Sequence, residues 1–211
     1  MNVAIFTESP IDDGVLRVFV DGLFGVPTEV TQLPLASRGW PATLRALPTV
    51  LKAAHFNSVA EALVVCADSN SHEVHTSTHK NQALTQCRHC VLEATVAETL
   101  RILKPTQPWH PLNVAIAVPC PSIEAWLLCG RDANCTEAAW IQRRTKIGAP
   151  GEVRRLKKIL FGFDPPYPGR VVQQIAERRA AELLQDLPKL EQAFPSSFGL
   201  LAAAVRSWRP S

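Results

Sequence analysis

The sequence lacks the features that mark secreted and membrane-spanning proteins. No window approaches the roughly 18 apolar residues that a membrane-spanning helix needs. The chain opens with the strand-like segment "NVAIF" and has no basic end, apolar core and small-residue cleavage site of a secretory signal. Low-complexity stretches, strongly charged tails and internal repeats are missing as well. We therefore expect a cytoplasmic protein with no membrane partner.

The composition suits a single globular domain. Of the 211 residues, 46% are hydrophobic and 19% are charged, so the chain is long and apolar enough to bury a substantial core. The six cysteines are scattered and mostly flanked by apolar residues, as in "VVCAD" and "LLCG". This pattern favours reduced thiols packed as small hydrophobes over a disulfide framework.

Strand-like and helix-like segments alternate along the first part of the chain. The predicted strands cover residues 2–7, 28–34, 61–68 and 113–119, and the predicted helices cover 11–24, 41–55, 83–103, 151–161, 171–186 and 197–208. Apolar strands that are each followed by a helix favour an α/β fold with a parallel four-stranded sheet flanked by helices. We expect one Rossmann-like domain, with its core in residues 1–130 and a helical, basic extension in 131–211.

Acidic and amide side chains follow three of these predicted strands. Glu8 follows the first strand, Asp68 and Asn70 follow the third, and the fourth leads to Glu124. Open parallel sheets bind ligands beyond the carboxyl ends of their strands, and oxygen ligands suit Mg²⁺. Each acid alone is also typical of a helix cap or a solvated loop. Their occurrence at three strand ends favours a site for Mg²⁺ or Mn²⁺.

These segments resemble the Toprim domain of topoisomerases, primases and OLD (overcoming lysogenization defect) nucleases. The resemblance lies in "IFTESPIDDGVL" and "VVCADSN", and "PCPSIEAWLL" is similar to an acidic element of small bacterial Toprim-like proteins. It implies that Glu8 is a general acid or base and that Asp68 and Glu124 bind Mg²⁺ or Mn²⁺. Asn70 departs from the pattern, because the family has an aspartate there, and an amide oxygen holds a cation less strongly.

Imidazoles and thiols follow the third strand. They belong to His72, His75, His79, Cys87, His89 and Cys90. Such side chains suit Zn²⁺, which is the alternative metal. Helical spacing instead places Cys87 on one face with Val91 and Ala94, which predicts thiols that pack in the core beside small apolar residues. His72, next to the acidic pair, is the histidine best placed to contact a phosphate or transfer a proton.

Positive charge is concentrated in one part of the chain. Residues 143–179 carry a net charge of +7, whereas the remaining residues carry −4. In "GEVRRLKKILFG" an apolar stripe faces one side, and Arg154, Arg155, Lys157 and Lys158 face the other. A basic helix face of this kind is either simply solvated or attracts a phosphate backbone. With an acidic metal site in the same chain, nucleic acid is the favoured partner.

The sequence therefore predicts a metal-dependent nuclease, a hydrolase that cleaves phosphodiester bonds in DNA or RNA. Glu8 and His72 would be catalytic, while Asp68, Asn70 and Glu124 would organise the metal. The alternative is a catalytically inactive module on the same fold that binds nucleic acid or a partner protein. The resemblance also implies a phage-defence setting, and it leaves an ATPase partner or a homo-oligomer open.

Overall fold

A computed structural model describes residues 1–31, 39–56, 60–81, 86–103, 112–162 and 169–208. The strands are Asn2–Phe6 (β1), Glu29–Thr31 (β2), Ala62–Cys66 (β3) and Asn113–Ala117 (β4). The helices are Pro10–Phe24 (α1), Trp40–Phe56 (α2), Arg88–Ile102 (α3), Ile123–Leu127 (α4), Glu137–Ile147 (α5), Ala149–Phe161 (α6), Gly169–Leu183 (α7), Leu187–Ala193 (α8) and Phe198–Ser207 (α9). Short 3-10 helices cover Ser77–Asn81 and Leu184–Asp186. In these described ranges, no helix has the length and apolar character to cross a membrane.

The sheet is parallel throughout, and its strands lie in the order β2-β1-β3-β4. Helices cover it, so the predicted α/β class with a parallel sheet flanked by helices is confirmed. The chain runs outward from β1 to β2 on one side and from β3 to β4 on the other. The direction of winding therefore reverses between β1 and β3, and such a switch point is where open α/β sheets form a binding crevice.

A hydrophobic layer packs on each face of the sheet, so β3 is buried on both faces. Val64 points into a layer with Phe19 of α1 and Leu201 of α9. Leu63, the adjacent residue of the strand, points into the opposite layer with Leu92 of α3. This alternation follows from the two-residue period of a strand. The helices after residue 130 thus share a core with the strands.

Local signals explain where two helices begin. Ser9 has an extended backbone and its hydroxyl accepts a hydrogen bond from the Asp12 amide at 3.3 Å, which starts α1. Helix α3 begins at Arg88, later than predicted, because Cys87 is still extended with φ −101° and ψ 113°. Residues 83–85 of that predicted helix lie outside the described ranges, as do residues 32–34 of the predicted second strand. The sequence patterns did not predict α4, α5 or α8.

Candidate active site

The structure brings the ends of β1, β3 and β4 together through their loops. Beyond the strands, the Ser69 amide donates to the Pro119 carbonyl oxygen at 2.8 Å, so the loops after β3 and β4 stay side by side. The Ile123 amide then donates to Asp68 Oδ1 at 3.1 Å, which ties the carboxylate to the start of α4. Glu124 is the next residue of that helix. This hydrogen bond therefore holds Asp68 against the residue that precedes Glu124 in the chain.

A fourth carboxylate, Asp12, lies at the same edge and was not predicted. It projects from the buried face of α1 and is only 9% exposed. Acids in the first turn of a helix are usually explained by the helix dipole, so the sequence did not single it out. A usable signal exists, because Asp12 precedes Val15 and Leu16 by helical spacing and so falls on the apolar stripe of α1. We call Glu8, Asp12, Asp68 and Glu124 the acidic cluster.

Burial and neighbouring carboxylates raise the affinity of Asp12 and Asp68 for protons. Burial raises the pKa of Asp12 to about 7, and the nearby Glu124 and Glu8 carboxylates add to the rise. Burial also holds the pKa of Asp68 well above its ordinary value, with further contributions from Asp12, Glu124 and Glu8. The pKa of Glu8 is raised by burial, although the Arg88 guanidinium opposes the shift. Negative charge at this edge is therefore in excess and favours a bound cation or proton.

Two basic side chains neutralise part of this charge. Arg88 Nη1 lies 3.6 Å from Glu8 Oε1 and also donates to the main-chain oxygen of Asp68. Its guanidinium carbon is 4.7 Å from the centre of the Trp40 ring, a cation–π geometry. Lys157 Nζ lies 3.6 Å from Glu124 Oε1. The sequence reading did not identify Arg88, because nothing near it in sequence shows that it meets the end of β1.

Asn70 has a backbone role at this edge. Its φ of +50° lies in the left-handed region, which Asn tolerates better than most residues. Its amide donates to the Pro121 carbonyl oxygen at 2.8 Å, so this conformation holds the loop after β3 against the loop after β4. The loop conformation alone therefore accounts for Asn at this position. Its predicted role as a metal ligand stays a prediction.

His72 lies near Trp40 and Arg88 and lines a small pocket. The pocket is also lined by Glu73, Gln86 and Arg144. Within the described residues, the buried Nδ1 atom of His72 has no hydrogen-bond partner. Burial lowers the pKa of His72, and the positive charge of Arg88 lowers it further. Both effects favour the neutral form of the ring.

The predicted basic face of α6 is divided by the fold. Arg154 and Lys158 are exposed. Arg155 instead donates to Asp132 Oδ2 at 2.7 Å and to Glu152 Oε1 at 2.8 Å. Lys157 is turned toward the acidic cluster. Arg155 and Lys157 thus form ion pairs within the chain, which the helical pattern alone did not show.

A second group of side chains, which we call the His/Cys cluster, lies beside the start of α3. It consists of His75, His79, Cys87 and Cys90, whose potential ligand atoms all lie within 4.8 Å of one another. Among the described residues, no other group of three or more His, Cys, Asp or Glu side chains meets this distance criterion, so the acidic cluster does not meet it. The thiols are buried as predicted, but the predicted face is wrong, because Ala94 is exposed and the histidine loop covers the sulfurs.

Comparison with known proteins gives no match: no protein-family model, curated protein or solved structure is significantly similar to this chain. The resemblance to the Toprim domain therefore stays a prediction. A function for this chain has to be inferred from the chemistry of its own residues.

Proposed function

We propose that this chain is a Mg²⁺- or Mn²⁺-dependent nuclease that hydrolyses phosphodiester bonds in nucleic acid, on a sheet of Toprim type. The observation that carries the proposal is the gathering of the acidic cluster at the switch point between β1 and β3. Chemistry in open parallel sheets is found at this edge. Partly buried carboxylates that repel one another are an arrangement suited to a divalent cation.

The donor set fits a hard cation. Mg²⁺ usually takes one or two carboxylates from the protein and fills its remaining positions with water and substrate oxygens. Asp68 and Glu124 supply such carboxylates, and the Ile123 amide fixes the first of them. The raised pKa values of Asp12 and Asp68 support the proposal, because they mark negative charge that a cation would balance. A bound Mg²⁺ or Mn²⁺ stabilises charge on the phosphate oxygens.

The protein side chains supply proton transfer and positioning. Glu8 has a raised pKa, which brings its carboxyl closer to the range in which a group exchanges protons near neutral pH. The buried Oε1 atom of Glu8 accepts no hydrogen bond from any described residue and is therefore available to accept a proton. Arg88 holds Glu8 in place, and His72, which lies near Arg88, is a second candidate for proton transfer.

Helix α6 links the acidic cluster to a surface that suits a phosphate backbone. Lys157 reaches Glu124, whereas Arg154 and Lys158 lie on the exposed side of the same helix, four residues apart. Residues at this spacing share a helix face. A nucleic-acid strand held by this exposed pair would lie along the helix whose Lys157 contacts Glu124.

A nuclease assay on single- and double-stranded DNA and RNA, with Mg²⁺ or Mn²⁺, tests the proposal. We expect cleavage by the wild type and a loss of about 10² to 10⁴-fold for Glu8→Gln, because the substitution removes proton transfer. Asp68→Asn should also abolish most activity. Asp13→Asn is the matched control, since Asp13 pairs with Arg17 away from the cluster.

Two outcomes would overturn the nuclease proposal. One is a wild type that cleaves none of these substrates with either metal, and the other is cleavage that both cluster variants leave unchanged. The second candidate function is a binding module without catalysis, which the partial neutralisation of Glu8 and Glu124 by Arg88 and Lys157 favours. Salt-sensitive nucleic-acid binding without cleavage would support that module.

A further inference from the structure

The His/Cys cluster brings together a pair of histidines from the loop after β3 and a pair of cysteines from the start of α3. His75 and His79 lie on either side of the start of a 3-10 helix, and Cys87 and Cys90 lie at the N-terminus of α3. Two residues separate the cysteines and three separate the histidines, and both spacings are usual in zinc sites. Imidazole and thiolate are the ligands that Zn²⁺ prefers.

The distances within the His/Cys cluster match tetrahedral zinc coordination. The Sγ atoms of Cys87 and Cys90 lie 3.6 Å and 3.4 Å from the same atom, His75 Nδ1. Bond lengths of about 2.3 Å to sulfur and about 2.0 to 2.1 Å to nitrogen, at tetrahedral angles, place the two ligand atoms about 3.6 Å apart. His79 contributes a fourth residue, whose potential ligand atom is within 4.8 Å of all the others.

Burial and polar contacts distinguish this cluster from an ordinary surface group. Cys87 is 0% exposed and Cys90 is 6% exposed, and His75 is buried between them and the His89 ring, whose centre is 4.3 Å away. The buried Nδ1 atom of His79 has no hydrogen-bond partner among the described residues. We propose that the His/Cys cluster is a structural zinc site with one ligand atom from each of its four residues.

The zinc site would fix the position of Arg88. This arginine stands between the two cysteine ligands in the first turn of α3, and its side chain reaches Glu8 and the Asp68 carbonyl oxygen. The segment that carries His75 and His79 is already joined to the residue before Cys87, because the Glu73 amide donates to the Gln86 carbonyl oxygen at 3.1 Å. Zinc would join the histidine-bearing segment to the start of α3. It would thereby stabilise the position from which Arg88 contacts Glu8 and Asp68. The zinc site itself does not depend on the proposed nuclease activity.

A redox-active dithiol is the main competing role for two cysteines with this spacing at a helix N-terminus. The placement of His75 favours zinc, because its Nδ1 atom contacts both sulfurs at once. The competing role makes a different prediction. The purified protein would then contain no zinc and would cycle between a dithiol and a Cys87–Cys90 disulfide.

Metal analysis of the full chain, purified without chelators and with any affinity tag removed, tests the zinc site. We expect about one zinc per chain in the wild type and only traces in the double variant Cys87→Ser/Cys90→Ser. Cys135→Ser is the matched control, since Cys135 is also buried and free but lies outside the cluster. It should keep its zinc.

Cobalt substitution of the wild type keeps the test decisive even if the double variant does not fold. Co²⁺ in the site should give the visible absorption of tetrahedral coordination and a near-ultraviolet thiolate-to-cobalt band. Three results would overturn the proposal: a wild type that contains no zinc and takes up no Co²⁺ with these bands, zinc retained by the double variant, or a Cys87–Cys90 disulfide in metal-free purified protein.

Discussion

Asp12 and Asp13 are neighbours in the first turn of α1, but their surroundings differ. Asp13 lies near the surface and forms an ion pair with Arg17, with Oδ2 and Nε 2.7 Å apart. Asp12 is buried, and its pKa is raised to about 7 by burial and by the nearby Glu124 carboxylate. A one-residue step along a helix turns a side chain by roughly 100°. That rotation separates an ordinary surface acid from a member of the acidic cluster.

Asp12 should make the stability of the metal-free protein depend on pH. Near neutral pH the folded state keeps a proton on Asp12 that the unfolded state, with a pKa of about 3.9, has already released. The free energy of unfolding therefore falls as pH rises through 7, by about 1.4 kcal/mol between about pH 6 and about pH 8.5. Urea denaturation of the wild type and of Asp12→Asn at both pH values measures the free energy of unfolding. The variant should lose the contribution of Asp12 to the fall between the two pH values.

Asp13→Asn is the control for this pH dependence and should behave as the wild type. Equal pH dependence in the wild type and Asp12→Asn would show that Asp12 has an ordinary pKa and is not held in the acidic cluster.

At the scale of elements, α4 is the helix that the fold has to hold in place. It has five residues, and so short a helix has little stability of its own. All five are buried, and Trp126 packs edge to face against Phe19 of α1 and Phe198 of α9, at centroid distances of 6.3 Å and 5.2 Å. Trp126 Nε1 donates to Ser197 Oγ at 3.2 Å. This aromatic cluster positions Ile123 and Glu124 for the acidic edge.

Truncation of Trp126 should therefore destabilise the whole protein. We expect Trp126→Ala to lower the free energy of unfolding by about 3 to 5 kcal/mol, because it leaves a large cavity and removes both aromatic contacts. Trp126→Phe keeps an aromatic ring and should cost less. Chemical denaturation gives both values, and an unchanged midpoint for Trp126→Ala would mean that α4 is held by other contacts.

At the scale of the whole molecule, charge is less separated than the linear sequence indicates. Residues 143–179 carry a net charge of +7, but several of their cations are engaged with acids of the same chain. Glu152, for example, lies 3.3 Å from Arg143 and 2.8 Å from Arg155. The basic surface open to a polyanion is therefore narrower than the sequence indicates, and on α6 it includes the exposed side chains of Arg154 and Lys158.

This narrower surface predicts which cations affect nucleic-acid binding. Arg154→Ala/Lys158→Ala should weaken binding for all sequences and reduce the slope of log affinity against log salt by about 1 to 2. Fluorescence anisotropy across a salt series measures the slope. Arg101→Ala is the control, because this exposed arginine is on α3 at the opposite layer of the sheet. A control that changes the slope as much as the α6 variant would refute the assignment.

The predictable part of the fold and site came from local patterns. Apolar strand segments bounded by polar loops predicted a parallel sheet, and Glu8 and Asp68 were found because acids directly follow two of those strands. The sequence did not reveal the partners of these acids. Arg88 lies 80 residues from Glu8 in the chain, and only the pairing of β1 with β3 brings them to 3.6 Å.

The sequence by itself determined the α/β class, the parallel strands and the strand-end acids, because burial and secondary structure depend on residue type and spacing over a few positions. Only the tertiary structure decided that Asp12 joins the acidic edge, that Arg155 and Lys157 turn inward, and that the thiols meet His75. These features depend on distances between residues from separate elements. Such distances are set by how the helices pack on the sheet, which no local pattern encodes.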